Sequence, residues 1–441
     1  MRFMFLSETG DGLGLALRLK DLGHTVGVKI KDKRSRSNYD GLLFKPFDWQ
    51  RDFLTKDTIC VFDSSGGGKT GDRLRQQGYA VFVGSTFADQ LEYDRDVAFE
   101  YMKQVGIKLP EYEAFYDWQS ARDFVKRNEQ KWVFKASGDL TKDHAITSYV
   151  ASDAEDMIRM LDYYESVATH SPDFELQEFI KGVAISTEGW FNGHEFMRPF
   201  NHTVERKQTM NDNLGPSGGC SGNLVWAWTR GTNHIIEEGL ARLSPVLEEF
   251  GYCGPIDLNT IVNADGVWAL ELTPRFGFDA LPAILELLEG DPGELIAALA
   301  RSERPRDMRL KSGYGSALRL NVPPYPSEEF VHQGGLPIRG FDKPDKPHLF
   351  FYDVLLNDKN QLVTSPAYGA VVALTGWAQS PQDALEGPYH LAERARIPDK
   401  SYRTDLRKVL AQDVTDFENL VQVKQGSQTA QPALEPAGSN Q

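Results

Sequence analysis

The sequence predicts a mixed chain, α/β at its start and α+β beyond. The expected order is an N-terminal parallel α/β domain over 1–90, a central domain over 91–304, a small strand-rich C-terminal domain over 305–423 and a disordered tail over 424–441. Three observations carry this. Short apolar runs alternate with helical patterns in the first 85 residues, as parallel strands joined by crossover helices do. Helical stretches and strand pairs then mix without that alternation. From about 305 onward strands dominate, in SALRLNV, LFFYDVLL and GAVVALTG.

The first strand is RFMFL (2–6), followed by a glycine-rich turn, Gly10–Gly14, and a helix from Leu15 to Leu22. HTVGVKI, TICVFD (58–63) and YAVFVG (79–84) supply three more strands, with GDRLRQQG as a helix before the last. Residues 94–128 read as mainly helical around a loop at Pro110, and KWVFKAS (131–137) as a strand. A helix is expected over roughly 152–167, then strands in ELQEFI and AISTEGWFNG. In HIIEEGLARLSPVLEEFG, Ile235, Ile236, Leu240, Leu243 and Leu247 fall at helical spacing, which predicts one amphipathic helix. IDLNTIV and VWALEL form a hairpin turned at Ala264-Asp265-Gly266. The last residues, KQGSQTAQPALEPAGSNQ, have almost none of the large apolar side chains that a packed core needs.

The 441 residues, 41% hydrophobic and 25% charged, suffice for one multi-lobed unit or about three domains. A net charge of −15 argues against general nucleic-acid binding, because a phosphate backbone repels it; a local basic patch is a separate matter. Cys60, Cys220 and Cys253 show no CxxC spacing, so neither a disulfide framework nor a zinc site is indicated. No run approaches the length of a membrane span, and the opening residues lack the pattern of a signal peptide, so the expected compartment is the cytoplasm.

Two glycine segments resemble phosphate loops. SSGGGKT fails the P-loop spacing because Asp63 stands where its first glycine belongs. Gly10-x-Gly12-x-Gly14 opens a helix without being GxGxxG; its amides either bind a small anion or form a bare turn.

The informative constellation lies between 90 and 280. Lys135 ends an apolar strand, where a lysine pairs, snorkels or faces a phosphate. Gln177, Glu178, Phe179 and Ile180 end another strand before Lys181-Gly182, and their backbone can bond an adenine edge. Glu205-Arg206-Lys207 precedes Gly215-Pro216-Ser217-Gly218-Gly219, a basic and glycine-rich stretch suited to a mobile lid over phosphates. Glu271 and Thr273 share a strand face by alternation, and Asp257 and Asn259 on the preceding strand can reach it. Such an oxygen set suits magnesium or manganese when a nucleotide supplies the remaining ligands.

The order of these pieces resembles the ATP-grasp fold and, within it, the phosphoribosylamine–glycine ligases. Gln90-Leu91-Glu92 with Asp94-Arg95, VFKASG around Lys135, GPSGG (215–219), LELTPRFG (270–277), GAVVALTGWAQSPQDA and YRTDLRK carry the likeness to about residue 410. The resemblance implies an ATP-dependent ligase that joins a small-molecule carboxylate to an amine through an acyl phosphate, as monomer or homodimer. It implies that Arg95 and Lys135 neutralise the ATP phosphates, and that Arg275, with Lys207 nearby, serves the carboxylate. Asp257, Asn259, Glu271 and Thr273 would hold the metal, and Gly10, Gly12, Arg206, Gly215, Gly218 and Gly219 would face substrate or form the lid. Ala184 stands where the family has an acidic ribose ligand, leaving Glu188 as the substitute; Thr273 replaces an asparagine. The family's N-G-G-R-E-H-A opening is replaced by Thr9-Gly10-Asp11-Gly12, and its F-G-D-P-E by Phe276-Gly277-Phe278-Asp279-Ala280. These departures leave two alternatives: a ligase for another amino acid, peptide or modified nucleotide, or an inactive nucleotide-binding descendant.

Overall fold

The computed structural model describes residues 1–143, 145–231, 233–305, 308–327 and 329–429, with the backbone alone at 142 and 423–429. The chain opens with β1 (Arg2–Ser7), β2 (Thr25–Ile30), β3 (Thr58–Phe62) and β4 (Ala80–Phe82), a wholly parallel sheet in the order β2-β1-β3-β4. Phe3, Phe5, Val28, Ile59 and Val61 are fully buried, which is why these strands read as continuous apolar runs.

A second, four-stranded sheet takes β5 (Tyr112–Phe115), β6 (Trp132–Ala136), β7 (Tyr149–Val150) and β8 (Phe174–Glu178) in the order β5-β8-β6-β7. With the helices Trp118–Arg127 and Ala154–Val167 it encloses its own core, where Trp118, Phe134, Leu161, Tyr164 and Phe174 meet. The stretch read as mainly helical over 94–128 therefore holds a strand, β5, between its helices Arg95–Gln104 and Trp118–Arg127.

The third sheet is antiparallel and has eight strands. It takes β9 (Val183–Asn192), β10 (Phe196–Gln208), β11 (Ser217–Trp228), β12 (Cys253–Asn263) and β13 (Gly266–Thr273). β14 (Leu288–Glu289) and β15 (Arg309–Leu310) form a side ladder; β16 (Tyr314–Asn321) and β17 (Leu349–Phe351) join the main sheet. A small hairpin, β18 (Val354–Leu356) with β19 (Leu362–Thr364), precedes β20 (Ala370–Ala378). The resulting order is β13-β12-β9-β10-β11-β16-β20-β17. The strands after 305 thus extend the central sheet, through β11–β16 pairing, and share its core with the N-terminal domain.

The expected amphipathic helix over 234–250 is broken into His234–Glu238, a 3-10 turn at Leu240–Leu243 and Ser244–Glu249. Gly239 leaves helical geometry at φ −111, ψ −116, where a Cβ would lie 2.5 Å from the Ile235 carbonyl oxygen, and Pro245 starts the next helix. The final helix, Leu406–Thr429, runs into the stretch read as a tail; residues 430–441 lie outside the described residues. Among the described residues no helix is long and apolar enough to cross a membrane.

Candidate active site

Strand register sets the carboxylates side by side. Asp257 lies opposite Thr273 and Asn259 opposite Glu271 across β12–β13, while Asp257 lies opposite Glu188 and Asn259 opposite Ser186 across β12–β9. Opposed residues on antiparallel strands share a face, with Cβ atoms about 5 Å apart. The row continues onto β10, where Asn201 opposes Glu188 and Thr203 opposes Ser186. Ser186 Oγ donates to Asp257 at 2.9 Å and to Asn259 Oδ1 at 2.8 Å. Burial pushes the Asp257 carboxyl up to about 7, with Glu205 and Glu271 adding and the Ser186 hydrogen bond opposing. The sequence reading of Asp257, Asn259, Glu271 and Thr273 as one cluster matches this register.

Glu188, on β9, is 1% exposed and stands in this row. Its carboxylate accepts from Trp190 Nε1 at 2.7 Å. Burial first, then Asp257, push it up to about 8.

The cations gather above this row. Lys135 on β6 stands opposite Glu175 on β8, and Arg95 pairs with Glu175 at 3.5 Å. Burial lowers the Lys135 pKa; Arg95 and Lys207 lower it further, while Glu271 and Glu175 oppose. For Lys207 partial desolvation opposes the charge, but Glu205, at 3.5 Å, and Glu271 outweigh it and raise the pKa. Lys135 and Lys207 therefore reach Glu271 from the two sheets, and Arg95, on a helix, stands beside Lys135 and Glu175. Glu175, 3% exposed, is a member that strand patterning hides, because the two glutamates of FELQE both read as solvent positions.

A cavity of about 740 Å³ runs between the two sheets beside these groups, lined among others by Arg95, Ser137, Glu175, Glu271, Thr273 and Arg275. Arg275 is already engaged. Its Nε donates to Glu92 at 2.9 Å, and its guanidinium lies over the Phe278 ring at 4.4 Å. Phe278 lines a second cavity of about 520 Å³, together with Asp11, Gly218, Gly219, Arg319, Tyr352 and Asp353. The Arg275–Phe278 stack is thus the wall between two chambers.

Gln177 is buried opposite Val133 on β6. The amide of Glu178 donates to the Glu111 carbonyl and that of Phe179 to the Lys131 carbonyl. The segment ending at Ile180 is pinned to neighbouring loops, so neither of those two amides is left for a base edge.

Three expectations are corrected. The amides of Gly10 and Gly12 are not open to an anion: Gly10 donates to Ser7 Oγ at 2.8 Å and Gly12 to Asp63 at 3.0 Å. The glycine turn does hold an anionic group, but it is the chain's own Asp63. Arg206 faces away from its neighbours Glu205 and Lys207 by strand alternation and pairs with Asp413 on the last helix at 2.5 Å. The 206–220 stretch is not a loose lid. Its two ends pair as β10 and β11, and its tip is anchored: Asn211 to Thr404 at 2.8 Å, Asp212 to Asp405 at 2.9 Å and Asn213 to Arg403 at 3.0 Å. Gly215 lies in this tip, whereas Gly218 accepts from Tyr325 and Arg319 at the second cavity.

The oxygen set on β12–β13 fits a hard divalent cation. It offers two carboxylates, an amide and a hydroxyl, and on the same face Thr203 Oγ1 and Asn223 Oδ1 are buried without a hydrogen-bond partner among the described residues. A mixed trio nearby, Glu205, Cys220 and Asp279, has ligand atoms within 4.8 Å of one another. Asp279 there is paired with Arg319, and burial pushes the Cys220 thiol up to about 12, so it is not a competing metal site.

Sheet order and cleft define an ATP-grasp architecture, and comparison with known proteins agrees. Phosphoribosylamine–glycine ligase of Listeria monocytogenes is 24% identical over 344 residues, 76% of this chain and 80% of its own length. The crystal structure of phosphoribosylamine–glycine ligase from Thermotoga maritima matches with a TM-score of 0.71 at 20% identity, over 92% of this chain and 100% of that one. The biotin carboxylase domain of 2-oxoglutarate carboxylase from Hydrogenobacter thermophilus, solved with MgADP and bicarbonate, matches at 0.60 with 12% identity, over 98% of this chain and 99% of that one. No family model matches the sequence.

Proposed function

We propose that this chain is an ATP-dependent carboxylate–amine ligase of the phosphoribosylamine–glycine ligase kind. The observation that carries it is the convergence of Lys135 and Lys207 on Glu271, with Arg95 beside Lys135 and Asp257, Asn259 and Thr273 beside Glu271, in a cleft between two sheets. The relatives named above support the reaction class.

The cations neutralise the triphosphate, an effect that strengthens as the cleft excludes water. Glu271 and Asp257, with Asn259 and Thr273, would hold magnesium, which would screen the β- and γ-phosphates. A carboxylate oxygen of the first substrate attacks the γ-phosphorus. The bond to the β–γ bridging oxygen breaks, ADP leaves and an acyl phosphate remains. The amine nitrogen of the second substrate then attacks the acyl carbon, phosphate departs with the C–O bond electrons, and the nitrogen loses a proton. Arg275 would exchange Glu92 for the substrate carboxylate or its acyl phosphate, at the wall between the chambers. The second cavity would take the amine.

Glu271→Gln tests the reading. Glu271 is exposed to the cleft, so the variant should keep the parent melting temperature and lose substrate-dependent ADP formation by about 100-fold or more. ADP formation at the parent rate would end the metal assignment. A second reading, an inactive nucleotide binder, is favoured only by the Thr273 and Ala184 departures. It predicts ATP binding without ADP release for any carboxylate and amine pair.

A further inference from the structure

Residues 29–36 hold Lys29, Lys31, Lys33, Arg34 and Arg36 with one acidic residue, Asp32, in a chain of net charge −15. The backbone that displays them is fixed. β2 ends at Ile30; then Ser35 Oγ donates to Asp32 at 3.1 Å and Asn38 Nδ2 to Asp353 at 2.8 Å, and Tyr39 donates through its hydroxyl to the Phe351 carbonyl.

This segment and residues 45–47 wall an open groove of about 800 Å³. Its charged lining is Lys29, Lys33, Arg34, Arg36 and Lys45 against Asp40. Lys45 is paired with Asp40 at 2.5 Å. Lys29, Lys33 and Arg36 are exposed and have no carboxylate partner among the described residues. Phe47, also in the lining, is 94% exposed, and Phe44 nearby is 57% exposed. Arg34 lies over the Tyr368 ring at 4.5 Å and lines both this groove and the second cavity of the cleft.

Like charges held together repel, and an anion placed among them relieves the repulsion. One phosphate would occupy one or two of these cations, not a groove running from β2 to residue 47. A concave shape suits a chain better than a flat membrane surface. A ring left in water beside the cations gives a base a face to stack on.

We propose that this groove binds single-stranded nucleic acid, with backbone phosphates on Lys29, Lys33 and Arg36 and a base on Phe47. The strand would run toward the cavity that Arg34 shares. Binding stands independently of the ligase reading. Delivery of a nucleotide-borne amine or carboxylate to the cleft would rest on it.

The test is fluorescence anisotropy of the full chain with a labelled oligothymidylate of about ten nucleotides, enough to span one such site. The oligonucleotide should bind, more weakly as salt rises. Lys33→Glu with Arg36→Glu should weaken it about tenfold or more and flatten the salt dependence. Phe47→Ala should weaken it about fivefold. Both variants should keep the parent melting temperature and ATP affinity. No binding would overturn the proposal. So would equal competition by thymidine monophosphate, which would mark a small-phosphate site, or by heparin with no effect of Phe47→Ala, which would mark adsorption of any polyanion. ADP formation, measured separately, reports on the ligase reading alone.

Discussion

Single residues decide which of the glycine turns serve a ligand. Two segments with the look of phosphate loops already close on internal carboxylates: Gly12 on Asp63, and Gly66 and Gly68 on Asp89 at 2.7 and 2.8 Å. Backbone amides bind a carboxylate as readily as a phosphate, so the sequence signal is real and its partner is not external. The neighbourhood of Asp257 and Glu271 was legible because strand alternation across a short hairpin puts them on one face, whereas Lys135 comes from β6 of the other sheet. The setting of Glu188 was not legible because its neighbours arrive from strands 13 and 69 residues away, Asn201 and Asp257. Its burial makes a prediction. Glu188 holds its proton more tightly when folded, at about 8, than at the ordinary 4.5. Its contribution to stability is therefore complete below pH 4.5, declines as pH rises from there to about 8, and is then gone. Glu188→Gln keeps the acceptor for Trp190 and should flatten the fall in melting temperature across that range. An unchanged slope would mean that the carboxyl is ionised in the native state at neutral pH.

Among elements, the long hairpin of β10 and β11 was the least legible part of the fold. FMRPFNHTVERKQ is polar at alternate positions on both faces and contains Pro199, so it carries no apolar alternation to mark a strand. Its polar residues have two roles: buried Asn201 and Thr203 and half-buried Glu205 continue the carboxylate row, and buried His202 bonds Thr187 and Asn233. Tertiary pairing overrides composition here. The tip of the hairpin was read as a lid because glycines and cations are common in lids. It is instead fixed by Arg403, which has a fully buried side chain and reaches Asp405 at 2.6 Å, Asn213 at 3.0 Å and the Gln208 carbonyl at 3.3 Å. Arg403→Ala leaves Asp405 without its cation and the tip without its anchor. The expected cost is about 3 kcal/mol, from the removal of one partner of a buried pair. A thermal melt within error of the parent would show that the tip is held by the remaining contacts alone.

At the scale of the whole molecule, the buried apolar side chains of the described residues gather in two cores. Residues of the parallel sheet, the eight-stranded sheet and the last helix pack into one, whereas Phe115, Trp118, Phe134, Leu161, Tyr164 and Phe174 form a separate one under the four-stranded sheet. The strands after 305 share the first core, where β16 pairs with β11. Sequence patterning finds strands but not which edge they close. The second core identifies the part free to move. Residues 112–178 meet the rest through Tyr112, edge-on to Phe99 at 5.1 Å, and across the cleft through polar groups, Arg95 with Glu175 and Lys135 near Glu271. The polar contacts can be remade around a nucleotide without disturbing either core. A non-hydrolysable ATP analogue with magnesium should therefore slow amide hydrogen exchange in 112–178, most at β6 and β8, and leave the parallel sheet unchanged. Lys135→Ala, which removes the cation linking β6 to the phosphates, should abolish that protection at the same analogue concentration. Protection confined to the 209–216 tip would restore the lid to the hairpin, and protection spread evenly over both cores would show that the two sheets move as one body.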